Sequence, residues 1–194
     1  MEKFFFMESV LRLISQGKFF NKAFAFALRV IAVAVAFAGL VAWIFSWKTI
    51  FGFSATGIIG GIVFQLFYVI AIYTVVHTLL LRSQNIDNLP EAEYTVIPIA
   101  SITFKLMGEA YAGFVAVISV AGGIFTWLAG KEVKATFGLM TPMIPHFGDV
   151  SFLGGLVFCL GGILVAFSVL VLFYFLSESV IVMVDIARNT KMHR

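Results

Sequence analysis

Long apolar stretches follow one another along this chain, and four of them are long enough to cross a bilayer. A spanning helix needs about 20 apolar residues, at 1.5 Å rise per residue across roughly 30 Å of hydrocarbon. The stretches that meet this requirement cover residues 23–45, 57–81, 106–129 and 154–185. The pattern therefore predicts an all-α integral membrane protein with four transmembrane helices.

A shorter segment of different character, residues 4–20, precedes the first span. Its apolar side chains Phe4, Met7, Leu11 and Ile14 recur at helical spacing, with polar residues between them. This pattern predicts an N-terminal amphipathic helix that lies at the headgroup boundary. It serves either as a structural anchor or as a docking helix for a partner.

Composition agrees with a membrane protein. Hydrophobic residues make up 61% of the 194 residues, charged residues 12%, and the mean hydropathy is +1.06. These values exclude a soluble enzyme, a disordered chain and a coiled coil. Cys159 is the only cysteine, so no disulfide forms within the chain, and a net charge of +3 does not favour nucleic acid as a partner.

The distribution of basic residues predicts how the spans are oriented. Three lysines, Lys48, Lys131 and Lys134, fall on one side, and Arg29 falls inside the first span. The nine on the other side are Lys3, Arg12, Lys18 and Lys22 before the first span, Arg82 and Lys105 in the predicted polar middle loop, to which Asp87 is also assigned, and Arg188, Lys191 and Arg194 in the tail. This bias places both termini in the cytoplasm. The three tryptophans then fall at the outer interface.

Two pairs of short matches indicate an internal repeat. Residues 60–66 match residues 154–160 at five of seven positions, with an offset of 94. Residues 39–43 match 123–127 at an offset of 84. The order of the matches predicts two parallel two-helix repeats related by an axis along the membrane normal, with the longer outer loop in the second. The predicted units are residues 1–89, which include the interfacial helix, and residues 90–194.

Each unit ends its returning helix in a similar way. An apolar run contains one ionisable residue and then a polar, Asn-bearing end: His77 with Asp87 and Asn88, and Glu178 with Arg188 and Asn189. Each half thereby resembles small bacterial two-span membrane proteins of unknown function. The first half departs from that pattern, because His77 stands where an acidic residue is expected. The resemblance implies a bacterial origin and no assigned activity. We expect the protein to lie in the bacterial inner (plasma) membrane.

Small residues at intervals of three or four predict where helices approach closely, because lipid tails give helices no hydrophobic reason to associate. The candidates are Gly57, Gly61, Ala34, Ala38, Gly108, Ala112 and Gly162. They are interpreted as packing positions within one four-helix bundle, or as a seam between subunits.

Four ionisable residues lie within the predicted spans or at their inner edges, where a charge costs about 2.5–3.5 kcal/mol at the bilayer centre. They are Arg29, His77, Glu109 and Glu178, and all fall in the inner leaflet by residue count. We expect them to form an intramembrane charge cluster in which Arg29 contacts Glu109 or Glu178. Alternatively, Arg29 holds a lipid phosphate.

The chain contains no recognisable catalytic motif, and no catalytic, cofactor-binding or metal-binding residues are predicted. Met140, Met143 and His146 have groups that can bind copper, but an apolar loop with two prolines explains them better as packing and turn residues. No cofactor is expected.

The leading hypothesis from the sequence is a non-catalytic scaffold or accessory subunit of a larger inner-membrane complex. A homo-oligomeric channel or transporter is the main alternative, and a lipid-binding membrane protein is the third. The outer leaflet contains few polar residues, which disfavours a conduction path through a single chain. The expected partners are membrane lipids and either other membrane subunits or copies of the same chain.

Overall fold

The computed structural model describes residues 18–90, 96–130 and 151–192, and four long helices dominate these segments. They are α1 (Lys18–Ile50), α2 (Ala55–Asp87), α3 (Val96–Ala129) and α4 (Phe152–Met192). The described residues contain no strand. Each helix includes a stretch apolar and long enough to cross a membrane, so the prediction of an all-α, multi-pass membrane protein is confirmed. Residues 4–17 of the predicted N-terminal amphipathic helix lie outside the described residues, as does the methionine-containing outer loop, while residues 18–20 form the start of α1.

All four helices extend beyond the apolar stretches that predicted them. In α2 the helix continues past residue 81, through Arg82, to Asp87. In α3 it begins at Val96, so Lys105 is helical as well. Assigning these two basic residues to a middle loop was therefore wrong. A charged side chain does not end a helix, and the first proline after Arg82 is Pro90.

The helices run antiparallel in chain order. We call the end of the molecule with the α1–α2 turn the hairpin end, and the opposite end the terminal end. The main contacts join α1 to α2, α2 to α3, and α3 to α4, while α1 touches α3 only slightly. Half of the spanning window of α3 is buried, against 11% of that of α4. Thus α2 and α3 form the middle of the helix bundle, and α1 and α4 flank them.

Among the described residues, two apolar clusters form the core. Toward the hairpin end, Phe64 and Tyr68 of α2 pack against Ile118 and Phe125 of α3. Toward the terminal end, residues of α1, α2 and α3 pack together: Ala25, Leu28, Ala32, Leu79, Ile86, Ile99 and Leu106. The second cluster brings the three helices together just where the charged side chains occur.

The predicted small-residue positions lie in different environments. Gly61 packs against Ile50, Gly108 against Phe173, and Gly162 against Ser119, so these glycines bring neighbouring helices together. The remaining positions are Gly57, which is buried, Ala112, which is half-buried, and Ala34 and Ala38, which are exposed on α1.

The contacts do not follow the register of the predicted repeat. Gly39 of α1 packs against Ile72 of α2, and the repeat would place its counterpart Gly123 against Ala166. Gly123 instead packs against Gly155 and Cys159, which lie about three and two helical turns before Ala166. The α3–α4 pair is therefore shifted relative to the α1–α2 pair, and superposition of the two halves stays a prediction.

The starts of α2 and α4 nevertheless share one local feature. Ser54 Oγ accepts a hydrogen bond from Gly57 N at 3.3 Å, and Ser151 Oγ accepts one from Gly154 N at 2.9 Å. A serine that caps the residue three positions on satisfies one of the free N–H groups at a helix start. The two caps are 97 residues apart, close to the predicted repeat offset of 94.

Candidate functional site

A single carboxylate connects three helices near the terminal end. Arg82 Nε of α2 donates to Glu109 Oε2 of α3 at 2.7 Å, and Arg82 Nη2 contacts Glu109 Oε1. Tyr174 Oη of α4 donates to the same Oε1 at 2.5 Å. The Arg82 and Glu109 side chains are each 21% exposed. We call these three residues the clamp.

Close helix packing beside Glu109 positions the clamp. A Cβ at Gly108 would lie 2.7 Å from Phe173 Cβ, so the glycine lets α4 approach α3 next to Tyr174. A Cβ at Gly113 would lie 2.8 Å from Thr74 Cγ2, so α2 approaches the neighbouring face of α3 equally closely. Two glycines that flank Glu109 within a turn therefore allow its carboxylate to reach donors on both neighbouring helices.

A second cation adjoins the clamp. Lys105 lies one helical turn before Glu109, and its Nζ lies 5.5 Å from the centroid of the Tyr174 ring. This distance is within the range of a cation–π interaction. With two cations and one carboxylate, the group carries a net charge of +1.

The clamp is suited to holding helices together. Arginine does not release a proton in proteins, and two arginine nitrogens and one phenol already face the Glu109 carboxylate. In the described part of the chain, no three His, Cys, Asp or Glu residues are grouped so that they could hold a metal ion. The chemistry that this geometry supports is charge-assisted hydrogen bonding between helices.

Arg29 makes a separate ion pair between α1 and α2. Its Nη2 donates to Asp87 Oδ2 at 2.6 Å, and the two side chains are 47% and 32% exposed. The prediction that Arg29 contacts Glu109 or Glu178 is wrong. The reason is the helix order: α1 packs on α2 and has few contacts with α3, so Asp87 is the carboxylate within reach, and Arg82 pairs with Glu109.

The other two members of the predicted cluster face outward. The His77 ring stacks on that of Tyr73, with centroids 5.5 Å apart and an interplanar angle of 12°. Both residues are exposed on α2, and Glu178 is exposed on α4. The structure thus brings none of Arg29, His77, Glu109 and Glu178 into contact with one another. Glu109 belongs to the clamp, and Arg29 belongs to the separate ion pair with Asp87.

Additional hydrogen bonds between helices occur toward both the terminal end and the hairpin end. Ser83 Oγ donates to Ala25 O at 2.9 Å, and the buried Ser101 and Ser177 hydroxyls lie 2.7 Å apart. Toward the hairpin end, the amide of Gln65, which is 3% exposed, contacts Ser46 Oγ. Each of these contacts joins two helices that are adjacent in the chain.

Sequence reasoning missed three residues of this arrangement: Arg82, Asp87 and Tyr174. Arg82 and Asp87 were placed in a connecting loop, although no helix breaker separates them from the second span. A helix continued to Pro90 would have given α2 an arginine and an aspartate close to the predicted charges. Tyr174 gave no such signal, because a tyrosine in an apolar helix is common and its partner depends on helix register.

Comparison of the chain with protein-family models, curated protein sequences and solved structures found no match. The function is therefore proposed from the side chains and their arrangement.

Proposed function

We propose that this protein is a non-catalytic scaffold or accessory subunit of a larger assembly in the bacterial inner membrane, with both termini in the cytoplasm. The observation that carries the proposal is the clamp. Two partly buried charges, Arg82 and Glu109, and the Tyr174 hydroxyl join α2, α3 and α4 by hydrogen bonds, which favours a structural role.

The clamp holds α2, α3 and α4 in fixed relative positions, as a scaffold that binds other subunits requires. Breaking a largely buried ion pair by removing one partner is strongly destabilising, because the other charge is left without compensation. Glu109 is in this position between two helices, and the serine pair of α3 and α4 adds a further buried contact. The relative positions of α2, α3 and α4 are thereby fixed at the terminal end.

The flanking helices offer surfaces to which neighbours can bind. On α1, Phe26, Val33 and Phe37 are each about two-thirds exposed, and Ala34 and Ala38 lie among them. On α4, several residues are exposed to a similar degree, among them Leu153, Leu164, Phe167 and Phe175. Lipid covers such faces in an isolated chain. Small residues on the α1 face also favour the approach of another helix.

The channel alternative has less support. A path for ions needs polar side chains that follow one another across the membrane. Gln65 lies between α1 and α2, whereas Ser119 faces Gly162 between α3 and α4, so these two polar groups occupy separate interfaces. Within the described residues, no row of polar side chains connects either Gln65 or Ser119 to the clamp.

Site-specific photocrosslinking in native membranes tests the proposal. A photoreactive amino acid is placed at Phe37 on α1 or Phe167 on α4, both exposed, and at Ile118 as a fully buried control. Scaffold function predicts that at least one exposed position yields a discrete adduct with a different membrane protein. Ile118 should yield only links within the chain.

Two outcomes contradict the proposal. Adducts made only of this chain, in a regular ladder, support the homo-oligomeric alternative. Adducts with lipid alone at both exposed positions indicate that neither face binds a protein.

A further inference from the structure

A groove between α1 and α2 is a candidate binding site that the clamp does not involve. It has a volume of about 280 Å³ and lies in the half of the molecule nearer the hairpin end. Its lining is formed by Ala36, Gly39, Leu40, Trp43, Tyr68, Val69 and Ile72. The small side chains on α1 leave room there, and Tyr68 Oη donates to Gly39 O at 3.4 Å. The lining is apolar, so the groove suits a hydrocarbon chain.

Positive charge lies on the same side of α1, toward the terminal end. Residues seven apart in a helix lie on nearly the same face, and Lys22, Arg29, Ala36 and Trp43 follow this spacing. Ala36 and Trp43 line the groove, while Lys22 and Arg29 are exposed on α1 nearer the terminal end. One face of α1 thus carries two cations at one end and an apolar groove further along.

The Arg29 guanidinium has donors left for a ligand. Of its five N–H groups, one donates to Asp87, and Arg29 makes no other hydrogen bond with the described residues. Lys22, Arg29 and Asp87 together carry a net charge of +1. An anionic group at this place therefore meets a favourable field and the planar donor geometry that binds phosphate.

We propose that this face of α1 and the adjoining groove bind an anionic phospholipid of the inner leaflet. The lipid phosphate contacts Arg29, and Lys22 adds to its attraction. One acyl chain runs along α1 and enters the groove beside Ala36 and Gly39. Ala36 lies about 10 Å and Trp43 about 21 Å along the helix from Arg29, which is within reach of an acyl chain of 16 to 18 carbons. The site does not depend on the scaffold function.

Quenching of Trp43 fluorescence by brominated lipids tests the site directly. The full-length protein, with Trp47 and Trp127 replaced by phenylalanine, is reconstituted into vesicles. These contain phosphatidylcholine and a small fraction of brominated phosphatidylglycerol or brominated phosphatidylcholine, with bromine near the end of the acyl chain. We expect phosphatidylglycerol to quench Trp43 with about fivefold higher apparent affinity, since each basic residue near an anionic surface contributes about that factor.

Four variants separate the two parts of the site. Arg29→Gln should remove most of the preference for phosphatidylglycerol, with Lys22 contributing the remainder. Lys48→Gln, which removes one charge at the other end of α1, should retain the preference. Asp87→Asn should increase the preference, because it removes a competing carboxylate. Ala36→Leu should reduce quenching by both lipids, because it fills the groove and leaves the charge unchanged.

Three results would overturn the proposal. Equal quenching by the two lipids in the parent protein indicates ordinary surrounding lipid. An unchanged preference in Arg29→Gln removes the phosphate contact. The absence of quenching by either lipid indicates that the groove is closed or is occupied by protein.

Discussion

The Arg82 guanidinium on α2 and the Glu109 carboxylate on α3 form a bidentate ion pair, in which Nε donates to Oε2 at 2.7 Å and Nη2 contacts Oε1. Tyr174 on α4 then donates to Oε1. Since 21% of each charged side chain is exposed, water compensates little for the loss of a partner. The clamp should therefore show strong energetic coupling between its members.

A double-mutant cycle on Arg82 and Glu109 measures this coupling. Arg82→Gln and Glu109→Gln should each lower the free energy of unfolding by about 2 kcal/mol, because each leaves a partly buried charge without its partner. The double variant should lose about 1–3 kcal/mol less than the sum of the two. Reversible unfolding in mixed micelles provides the measurement.

The Arg29–Asp87 pair supplies the matched control for that cycle. Its side chains are 47% and 32% exposed, and exposed ion pairs couple by about 0.2–1 kcal/mol. Arg29→Gln and Asp87→Asn should therefore be nearly additive. Equal coupling in the two cycles would mean that burial does not distinguish the clamp from the exposed pair.

The Tyr174 hydroxyl should contribute through Glu109 alone. Tyr174→Phe removes the donor to Oε1 and should cost about 1.5 kcal/mol, as expected for a hydrogen bond to a charged group. In a Glu109→Gln background the cost should fall markedly. Tyr73→Phe removes the same atom from an exposed tyrosine and should be close to neutral. An identical loss at Tyr174 in both backgrounds would argue against the hydrogen bond.

The number and approximate positions of the helices could be predicted from the sequence, because an apolar stretch of about 20 residues has few alternatives to a spanning helix in a chain of this composition. Helix ends could not. Residues 82–87 of α2 are mostly polar but contain no proline or glycine, and α3 begins at Val96 with Pro98 in its first turn, where a proline is tolerated. Register between helices was least accessible. It depends on contacts such as that of Gly123 with Gly155, which the 94-residue repeat offset did not indicate.

The candidate site was predicted only in part. Glu109 was singled out because an acidic residue inside a span needs a partner, and it does have one. The identity of that partner depends on which helices are adjacent. Pairing Glu109 with Arg29 assumed that the two side chains face each other between α1 and α3. Those helices have few contacts, and Arg29 pairs with Asp87 of α2 instead.

Close backbone packing makes Gly123 sensitive to substitution. A Cβ at this position would lie 2.8 Å from the carbonyl oxygen of Gly155, and a backbone atom cannot move aside as a side chain can. Gly123→Ala should therefore destabilise the protein by about 1–3 kcal/mol, despite the better helix propensity of alanine. Ala38→Leu, on the exposed face of α1, should change stability by less than about 0.5 kcal/mol. A stable Gly123→Ala protein would contradict the close approach of α3 and α4.

The excess of basic residues at one side predicts the topology. In a Cys159→Ala background, a cysteine at position 134 should react with an impermeant thiol reagent added to intact cells. A cysteine at position 88, beside the end of α2, should react only after the cells are opened. The reverse pattern would place the clamp at the outer side of the membrane.

The scaffold proposal is tested most directly by the mass of the particle that the protein forms when it is extracted from its native membrane in lipid nanodiscs. Native mass spectrometry should give a mass that includes, besides the 21.3 kDa chain, at least one different polypeptide in a fixed ratio. Dissociation of the particle should release both chains intact. A mass equal to a whole number of copies of this chain, with lipid as the only other component, would contradict the proposal.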